Sequence, residues 1–434
     1  MSEFTKPQNL QEWNENFEQI KPLMGATMAH QESARCLFCY DPPCQKACPT
    51  SIDIPLFIRQ IYTDNLAGSA RTIYESNYFG NICGKVCPTE VLCEGACVYN
   101  HQNQPPIQIG RLQSYATSHA IAKNIQFFTA GKDTGKKVAI VGAGPAGIGA
   151  ACELRRLGIA VDIFEAKAQP SGLALHGVAP YKIENESVLE EIAYWQHQLG
   201  FDIIYNTPIT TKADFEKLEQ NYDAIFLAIG LGKTKNLGIA GLNAKHCYGA
   251  TEFIENLKLN PFQTHVGKRI VVVGGGNTAM DAASECARMG ATQVYLVYRK
   301  SKAEMGAYEF EYELAKSVGV KGIFGYSPKA IEQDENGAVK SITFTITNDT
   351  YQDYVIDCDM VILATGQEKQ TSIYTQINAL EFDQSGRLIV DENFQTTHAK
   401  YFAAGDAVNG GAEVVNAVGE AKKAAQAIYK KLMP

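Results

Sequence analysis

The stretch KVAIVGAGPAG, residues 137–147, decides the fold of this 434-residue chain. Its first half is a short apolar run, which is typical of a strand buried in a parallel sheet. A Gly-x-Gly-x-x-Gly turn follows at once, and residues 148–157 then carry the apolar spacing of a helix. A strand, a glycine-rich turn and a helix in this order predict a dinucleotide-binding unit.

Each glycine of this turn has its own role. Gly142 permits the tight turn, Gly144 lets the backbone approach a pyrophosphate, and Gly147 lets the helix pack closely on the strand. Glu165 ends the next predicted strand, where a carboxylate accepts hydrogen bonds from ribose hydroxyls. The residues predicted here to bind a dinucleotide are Gly142, Gly144, Pro145, Ala146, Gly147 and Glu165.

A second strand–turn–helix pattern starts at residue 269. Its following strand ends in Arg299 and Lys300 instead of an acid, and cations at that position can pair with the 2′-phosphate of NADPH. An ordinary exposed Arg-Lys pair is the alternative. The residues predicted to bind NAD(P) in this turn are Gly274, Gly275, Gly276, Asn277, Thr278 and Ala279.

Two further glycine-containing segments follow buried strands near the C-terminus. One is Ala364-Thr365-Gly366, which we assign to the NAD(P) site. The other is Gly405-Asp406, whose carboxylate can bond the ribityl chain or pyrophosphate of a flavin. A plain turn aspartate is the alternative interpretation of Asp406.

Cysteines are concentrated in the N-terminal region. Of 12 cysteines, eight form two groups, Cys36-x2-Cys39-x4-Cys44-x3-Cys48-Pro49 and Cys83-x3-Cys87-Pro88-x4-Cys93-x3-Cys97. Thiolates are the usual ligands of iron–sulfur clusters, and a Cys-Pro at the end of such a run sends its cysteine to a different cluster. Two clusters are therefore predicted. Structural zinc, which prefers paired Cys-x2-Cys motifs, and disulfides are the alternatives.

The other four cysteines, Cys152, Cys247, Cys286 and Cys358, form no close pair. A flavoenzyme that reduces disulfides needs a redox-active pair near its flavin. We therefore expect core positions for these four cysteines and electron flow from the flavin to the clusters.

Bulk properties exclude some classes of protein. A net charge of -8 disfavours a nucleic-acid binder, which needs a basic face. The longest apolar segment, residues 138–154, is interrupted by glycines and is not expected to span a membrane. With no secretory signal visible, a cytoplasmic location is expected.

The fold class is therefore α/β. We expect an α-helical double-cluster domain, followed by two Rossmann-like nucleotide-binding domains. The iron–sulfur domain is expected over residues 1–130, and short alternating strands, for example residues 341–347, predict a small sheet appended to the second nucleotide-binding unit.

The order of these motifs, together with PIQIGRLQ at residues 106–113, resembles the glutamate synthase small-subunit family from about residue 33 to residue 432. Within that family the sequence is most similar to the flavin subunits of bacterial dihydropyrimidine dehydrogenases. The resemblance implies one 4Fe-4S cluster on Cys36, Cys39, Cys44 and Cys97. It implies a second on Cys48, Cys87, Cys93 and Gln113, with Cys83 spare or an alternative ligand.

The resemblance also assigns the first glycine turn to FAD. It implies that the NAD(P) domain, residues 251–362, interrupts an FAD domain made of residues 131–250 and 363–434. Flavin contacts are further implied at Gly172, Leu173 and Lys182. Ser171 stands where relatives have glycine, and Lys182 where they have arginine. Gly306 stands where NADPH-using relatives can carry arginine, which reopens NADH as the donor.

The implied activity is electron input from NAD(P)H through FAD and the clusters to an FMN-containing partner subunit that reduces uracil or thymine, in a hetero-oligomer. Hydride passes directly between cofactors, so no catalytic side chain is expected. The alternatives are a glutamate synthase small subunit, an NAD(P)H:ferredoxin oxidoreductase subunit, or a non-catalytic redox scaffold or sensor.

Overall fold

The computed structural model describes residues 4–346 and 349–433, so Thr347 of the predicted small sheet and the outermost ends of the predicted domains lie outside it. The α-helices are α1 (Leu10–Asn16), α2 (Ala26–Ala34), α3 (Pro43–Ala47), α4 (Ile54–Tyr62), α5 (Leu66–Ser76), α6 (Gly80–Val86), α7 (Ile109–Ala122), α8 (Pro145–Arg156), α9 (Leu173–His176), α10 (Asn185–Leu199), α11 (Lys212–Asn221), α12 (Ala250–Leu259), α13 (Asn277–Arg288), α14 (Glu309–Ser317), α15 (Thr371–Tyr374), α16 (Asp406–Asn409) and α17 (Val414–Leu432). The strands are β1 (Lys137–Val141), β2 (Ala160–Phe164), β3 (Asp202–Ile204), β4 (Ala224–Leu227), β5 (Cys247–Gly249), β6 (Arg269–Val273), β7 (Gln293–Tyr298), β8 (Lys321–Phe324), β9 (Tyr326–Gln333), β10 (Val339–Ile346), β11 (Asp349–Asp357), β12 (Met360–Leu363) and β13 (Tyr401–Ala403).

The chain forms two compact units. The larger unit contains residues 21–175, 182–231 and 369–434, and the smaller unit contains the N-terminus through Ile20, residues 176–181 and residues 232–368.

The sheet of the larger unit is parallel, with the order β13-β4-β1-β2-β3. Strand β1 is the central strand, and four of its five residues are accordingly buried. Both of its neighbours follow it in the sequence and lie on opposite sides of it, β2 on one side and β4 on the other, and the point where the strand order reverses in this way is where α/β sheets bind ligands.

The N-terminal part of the larger unit is helical, as predicted. Helix α4 shows why: Ile54, Phe57, Ile58 and Ile61 recur at helical spacing and are all buried. Asp53 caps the helix by accepting a hydrogen bond from the Leu56 amide.

The smaller unit repeats the parallel architecture, with the order β5-β12-β6-β7-β8 and β6 in the centre. A separate antiparallel sheet, β11-β10-β9, lies between β8 and β12 in the chain, where the alternating pattern of residues predicts a small sheet.

The N-terminal residues differ from the predicted boundaries. They were expected in the iron–sulfur domain, yet Phe17 is buried in the core of the smaller unit, where Trp13 also packs. Arg288 donates from Nη1 to the Asn16 carbonyl at 2.6 Å, and Asn16 donates back to the Arg288 carbonyl at 2.7 Å. The smaller unit also extends to 232–368, beyond the predicted 251–362, because β5 joins its sheet.

Candidate functional site

The glycine turn after β1 has the geometry of a dinucleotide cradle. Gly142 has φ +102°, and a Cβ there would lie 2.5 Å from the Ala228 carbonyl oxygen. A Cβ on Gly144 would meet nothing nearer than the Gly172 Cα at 3.9 Å. The backbone of Gly144, which is the N-cap of α8, is therefore open to a ligand, and the free amides of the helix N-terminus suit a pyrophosphate.

Glu165 lies beside this turn at the end of β2. Its Oε2 accepts a hydrogen bond from the Ala143 amide at 2.8 Å, and its Oε1 accepts one from the Lys167 amide at 2.8 Å. Both bonds fix the carboxylate at the switch point of the sheet. Its contact with a ribose remains a prediction.

The Gly405-Asp406 segment lies against the same turn. Gly405 has φ +72°, and a Cβ there would lie 3.1 Å from the Ala146 Cβ. Asp406 begins α16 and accepts a hydrogen bond from the Ala412 amide at 3.2 Å, while burial raises the pKa of its carboxyl group. Sequence reasoning missed Glu420, which accepts a hydrogen bond from the Gly405 amide at 2.8 Å and so holds this segment.

The residues implied only by resemblance lie in the same unit. Gly172 has a left-handed φ of +49° beside Gly144, and Leu173 begins α9 with a partly exposed side chain. Lys182 is buried, at 7% exposure. Their flavin contacts remain predictions.

The second glycine turn ends β6 in the smaller unit. A Cβ on Gly276 would meet nothing within 4 Å, so this N-cap of α13 is open to a ligand in the way that Gly144 is. The Asn277 side chain accepts a hydrogen bond from the Tyr308 amide at 3.0 Å and fixes the loop that follows β7. Thr278 and Ala279 continue the first turn of α13.

One member of the cationic pair after β7, Lys300, forms an ion pair with a neighbouring side chain. The Lys300 ammonium lies 3.5 Å from the Glu304 carboxylate, which also accepts from the Ser301 amide and hydroxyl. Gly306 lies beside Gly275 with room for a side chain, because its Cβ would come no closer than 3.9 Å to the Gly275 carbonyl oxygen. Arg299 follows β7 directly.

The segment after β12 closes the same edge of the sheet. The Thr365 hydroxyl donates to the Lys235 carbonyl at 3.1 Å, and the Lys235 amide donates to the Gly366 carbonyl at 2.8 Å. Ala364 extends the β12–β6 pairing by donating from its amide to the Val273 carbonyl at 2.8 Å.

Two cavities gather the N-terminal cysteines. The first thiol cavity is lined by Cys36, Cys39, Cys44 and Cys97, together with apolar residues that include Ile54, Ile58 and Ile107. The second thiol cavity is lined by Cys48, Cys83, Cys87, Cys93, Gln113 and Asn77, with Ile52, Leu92 and Val415. Each cavity holds the donor set that the resemblance implied for one cluster.

The protein residues fit 4Fe-4S clusters chemically. In the described part of the chain, no three His, Cys, Asp or Glu side chains converge as ligands of a single metal ion; the thiols surround open spaces instead. Burial raises the pKa of Cys44 to about 12 and also raises that of Cys36 and Cys93. Metal-free thiols here are therefore protonated, and cluster assembly releases protons.

Gln113 is oriented as an oxygen ligand. Its Nε2 donates a hydrogen bond to the Gly80 carbonyl at 2.6 Å. The nitrogen of the side-chain amide is thus used by the protein, and the oxygen, Oε1, is the atom that could serve as a ligand. Cys83 is buried in the same cavity, and its thiol is hydrogen-bonded to that of Cys87. Gln113 remains the predicted fourth ligand of this cluster, with Cys83 as the alternative.

Comparison with protein families matches residues 136–421 to the pyridine nucleotide-disulphide oxidoreductases and residues 13–125 to dihydropyrimidine dehydrogenase domain II, 4Fe-4S cluster. This chain belongs to the pyridine nucleotide-disulphide oxidoreductase family. Its cofactors are accordingly FAD, NAD(P)H and 4Fe-4S clusters, and it is an NAD(P)H-dependent oxidoreductase. Outside the two N-terminal cysteine groups, the four remaining cysteines of its sequence form no close pair.

Among its relatives, the NAD-dependent dihydropyrimidine dehydrogenase subunit PreT of Salmonella typhimurium is 33% identical over 96% of this chain and 97% of the relative. The glutamate synthase [NADPH] small chain of Escherichia coli K12 is 31% identical over 96% of this chain and 94% of the relative. These matches confirm the resemblance found in the sequence. The chain is an NAD(P)H-dependent electron-transfer subunit with FAD and iron–sulfur clusters.

The fold also agrees with a solved structure. Thioredoxin reductase of T. acidophilum matches 69% of this chain and 100% of its own length, with a TM-score of 0.57 and 21% identity. At this identity the match shows the fold alone, and it confirms the α/β class. Among residues 4–346 and 349–433, no helix has the length and apolar character needed to cross a bilayer.

Proposed function

We propose that this chain is the electron-input subunit of a dihydropyrimidine dehydrogenase. It takes two electrons as hydride from NAD(P)H and delivers them to an FMN-containing partner subunit, where uracil or thymine gains two electrons and two protons across its 5,6 double bond. The PreT relative, which carries the dihydropyrimidine dehydrogenase name and matches nearly end to end, supports this choice of reaction.

The observation that carries the electron-transfer part is the position of the second thiol cavity. Val415, in the first turn of α17, lines that cavity, and a Cβ on Gly419 of the same helix would lie 3.3 Å from the Thr50 side chain. Helix α17 directly follows the Gly405-Asp406 segment. The second cavity thus adjoins the elements that we assign to the flavin, and we infer that electrons enter the iron–sulfur region there.

The surroundings of the first thiol cavity fit the place where electrons leave this chain for a partner subunit. Leu37 and Tyr40, on either side of Cys39, are exposed apolar or aromatic residues, at 53% and 105%. Such residues are favoured at protein interfaces. We infer that the partner subunit docks over this loop.

When bound, FAD accepts hydride and the clusters carry single electrons. The protein's own contribution is to bind the cofactors and to hold them in position. The turn at Gly144 receives the flavin, and the turn at Gly276 receives the nicotinamide dinucleotide. The thiols of the two cavities hold the clusters. No side chain is required as acid or base for hydride transfer, because proximity and orientation supply the rate.

The first experiment adds NADH or NADPH anaerobically to the purified holoprotein and follows flavin bleaching. We expect bleaching with at least one donor. Gly276→Ala places a methyl group where only a ligand approaches, so it should slow bleaching at least about tenfold while FAD is retained. Gly149→Ala, whose Cβ would make an ordinary 3.4 Å contact with Val418, is the matched control.

The second experiment adds an FMN-containing dihydropyrimidine dehydrogenase catalytic subunit and measures uracil-dependent NAD(P)H oxidation. Turnover with uracil supports the proposal. Bleaching without uracil turnover, combined with glutamate formation when a glutamate synthase large subunit is supplied, would assign the chain to that enzyme instead. An absence of bleaching with either donor would refute electron input altogether.

A further inference from the structure

The second thiol cavity contains a hydrogen-bond donor that has no partner among residues 4–346 and 349–433. Asn77 is fully buried and lines this cavity with Cys48, Cys87 and Cys93. Its Nδ2 is buried and makes no hydrogen bond. An unpaired amide donor in an apolar site costs about 1–3 kcal/mol, so a native group of this kind calls for a partner that the protein itself does not supply.

The orientation of the Asn77 amide is fixed by its other end. Its Oδ1 accepts a hydrogen bond from the Phe79 amide at 2.9 Å, and a rotated amide would place two donors face to face. The Asn77 backbone amide donates to the Ile73 carbonyl at 2.9 Å, which anchors the residue as the C-cap of α5. The Nδ2 group is therefore held in place at the cavity wall.

Another part of the cavity wall, formed by helices α6 and α7, is also held in place by close packing. Helices α6 and α7 approach through Gly84 and Gly110, where a Cβ on either residue would lie within 2.7 Å of the other's carbonyl oxygen. This contact fixes Gln113 on α7 relative to Cys83 on α6 and to Cys87, the C-cap of α6. A donor held against such a wall can reach only what fills the cavity.

We propose that Asn77 donates a hydrogen bond from Nδ2 to a sulfur atom of the cluster in the second thiol cavity and thereby raises its reduction potential. The sign follows from charge: the reduced cluster is more negative, so a donor stabilises it more than the oxidised cluster. Hydrogen bonds to sulfur are among the factors that set cluster potentials. The inference rests on the iron–sulfur part of the proposed function and is independent of the pyrimidine substrate.

The test is a pair of substitutions at Asn77. Asn77→Ser keeps an oxygen that can accept from the Phe79 amide but is too short to reach into the cavity. Asn77→Asp keeps the acceptor and replaces the donor with a second acceptor. The matched control is Asn65→Asp at the other end of α5, where the side chain caps Gly68 and aspartate caps equally well.

Iron, acid-labile sulfide and FAD are measured first, followed by an EPR-monitored redox titration. We expect both Asn77 variants to retain full iron and to shift one of two midpoint potentials to lower values, with the larger shift in Asn77→Asp. Asn65→Asp should leave both potentials unchanged.

Unchanged potentials in both Asn77 variants would overturn the proposal. Loss of about half the iron in Asn77→Ser would also overturn it, because Asn77 would then be needed for cluster retention instead of tuning. These readouts use dithionite as reductant and no partner subunit. A failure of uracil reduction would therefore leave the result intact, while absence of iron would refute the electron-transfer proposal itself.

Discussion

Replacing Ser171 by glycine is expected to stabilise the larger unit. Ser171 has φ +79°, in the left-handed region that favours glycine, and its side chain is completely buried. The backbone conformation costs about 1–2 kcal/mol for a residue with a Cβ. Its Oγ is buried without a hydrogen-bond partner, which costs about 1–3 kcal/mol more.

The net magnitude follows from these contributions. Glycine removes both costs but adds about 0.5–1 kcal/mol of backbone freedom to the unfolded chain. Ser171→Gly should therefore raise the free energy of unfolding by about 3 kcal/mol. The Ser171 amide donates to the Ala143 carbonyl at 2.7 Å, and this bond is kept in the variant.

Ser171→Ala separates the two causes. It removes the hydroxyl and keeps the unfavourable φ, so it should gain only about 1–2 kcal/mol. The assay is urea unfolding followed by far-ultraviolet circular dichroism and flavin fluorescence, at one fixed concentration of free FAD because bound ligand stabilises the folded state. If Ser171→Gly is no more stable than the wild type, the strain inferred at this position is wrong.

Three other substitutions test single features of the structure. Gly306→Arg should raise kcat/KM for NADPH relative to NADH about tenfold, because arginine pairs with a 2′-phosphate; an unchanged ratio would place the phosphate elsewhere. Gln113→Ala should lose about half of the iron while Cys83→Ala keeps it, and the reverse result would make Cys83 the ligand. Glu191 is fully buried on α10, and burial raises its pKa to about 7, so the folded protein holds a proton that the unfolded chain releases above pH 4.5. The free energy of unfolding should therefore fall by about 1 kcal/mol between pH 6 and 8 through this group, and urea unfolding of Glu191→Gln should lack that component; an equal fall in both proteins would show that Glu191 does not titrate in this range.

The sequence predicted the nucleotide-binding units well because their signals are local. Gly142, Gly147 and the apolar run before them lie within eleven residues, and steric demands at each position leave few alternatives. The cysteine groups were informative in part. The Cys48-Pro49 pair predicted that Cys48 serves a different cluster from Cys36, Cys39 and Cys44, as the two cavities divide them, whereas the assignment of Cys97 came from the family resemblance.

Features that depend on distant contacts were not predicted. Phe17 packs in the smaller unit, and nothing in the sequence near it distinguishes that core from the helical region that follows. Asn77 belongs to no motif, and its importance comes from a cavity built by four other segments. Ser171 was visible as a departure from the family pattern, but its φ could be learned only from the structure.

The division of the chain also bears on how it is made. The backbone passes between the two units five times, after residues 20, 175, 181, 231 and 368, so neither unit is a continuous piece of polypeptide. During translation the smaller unit has its last strand, β12, when residue 363 emerges, whereas the larger sheet still lacks β13 and the covering helix α17. Until then β4 is an open edge of that sheet, and the larger unit is the last to close on the ribosome.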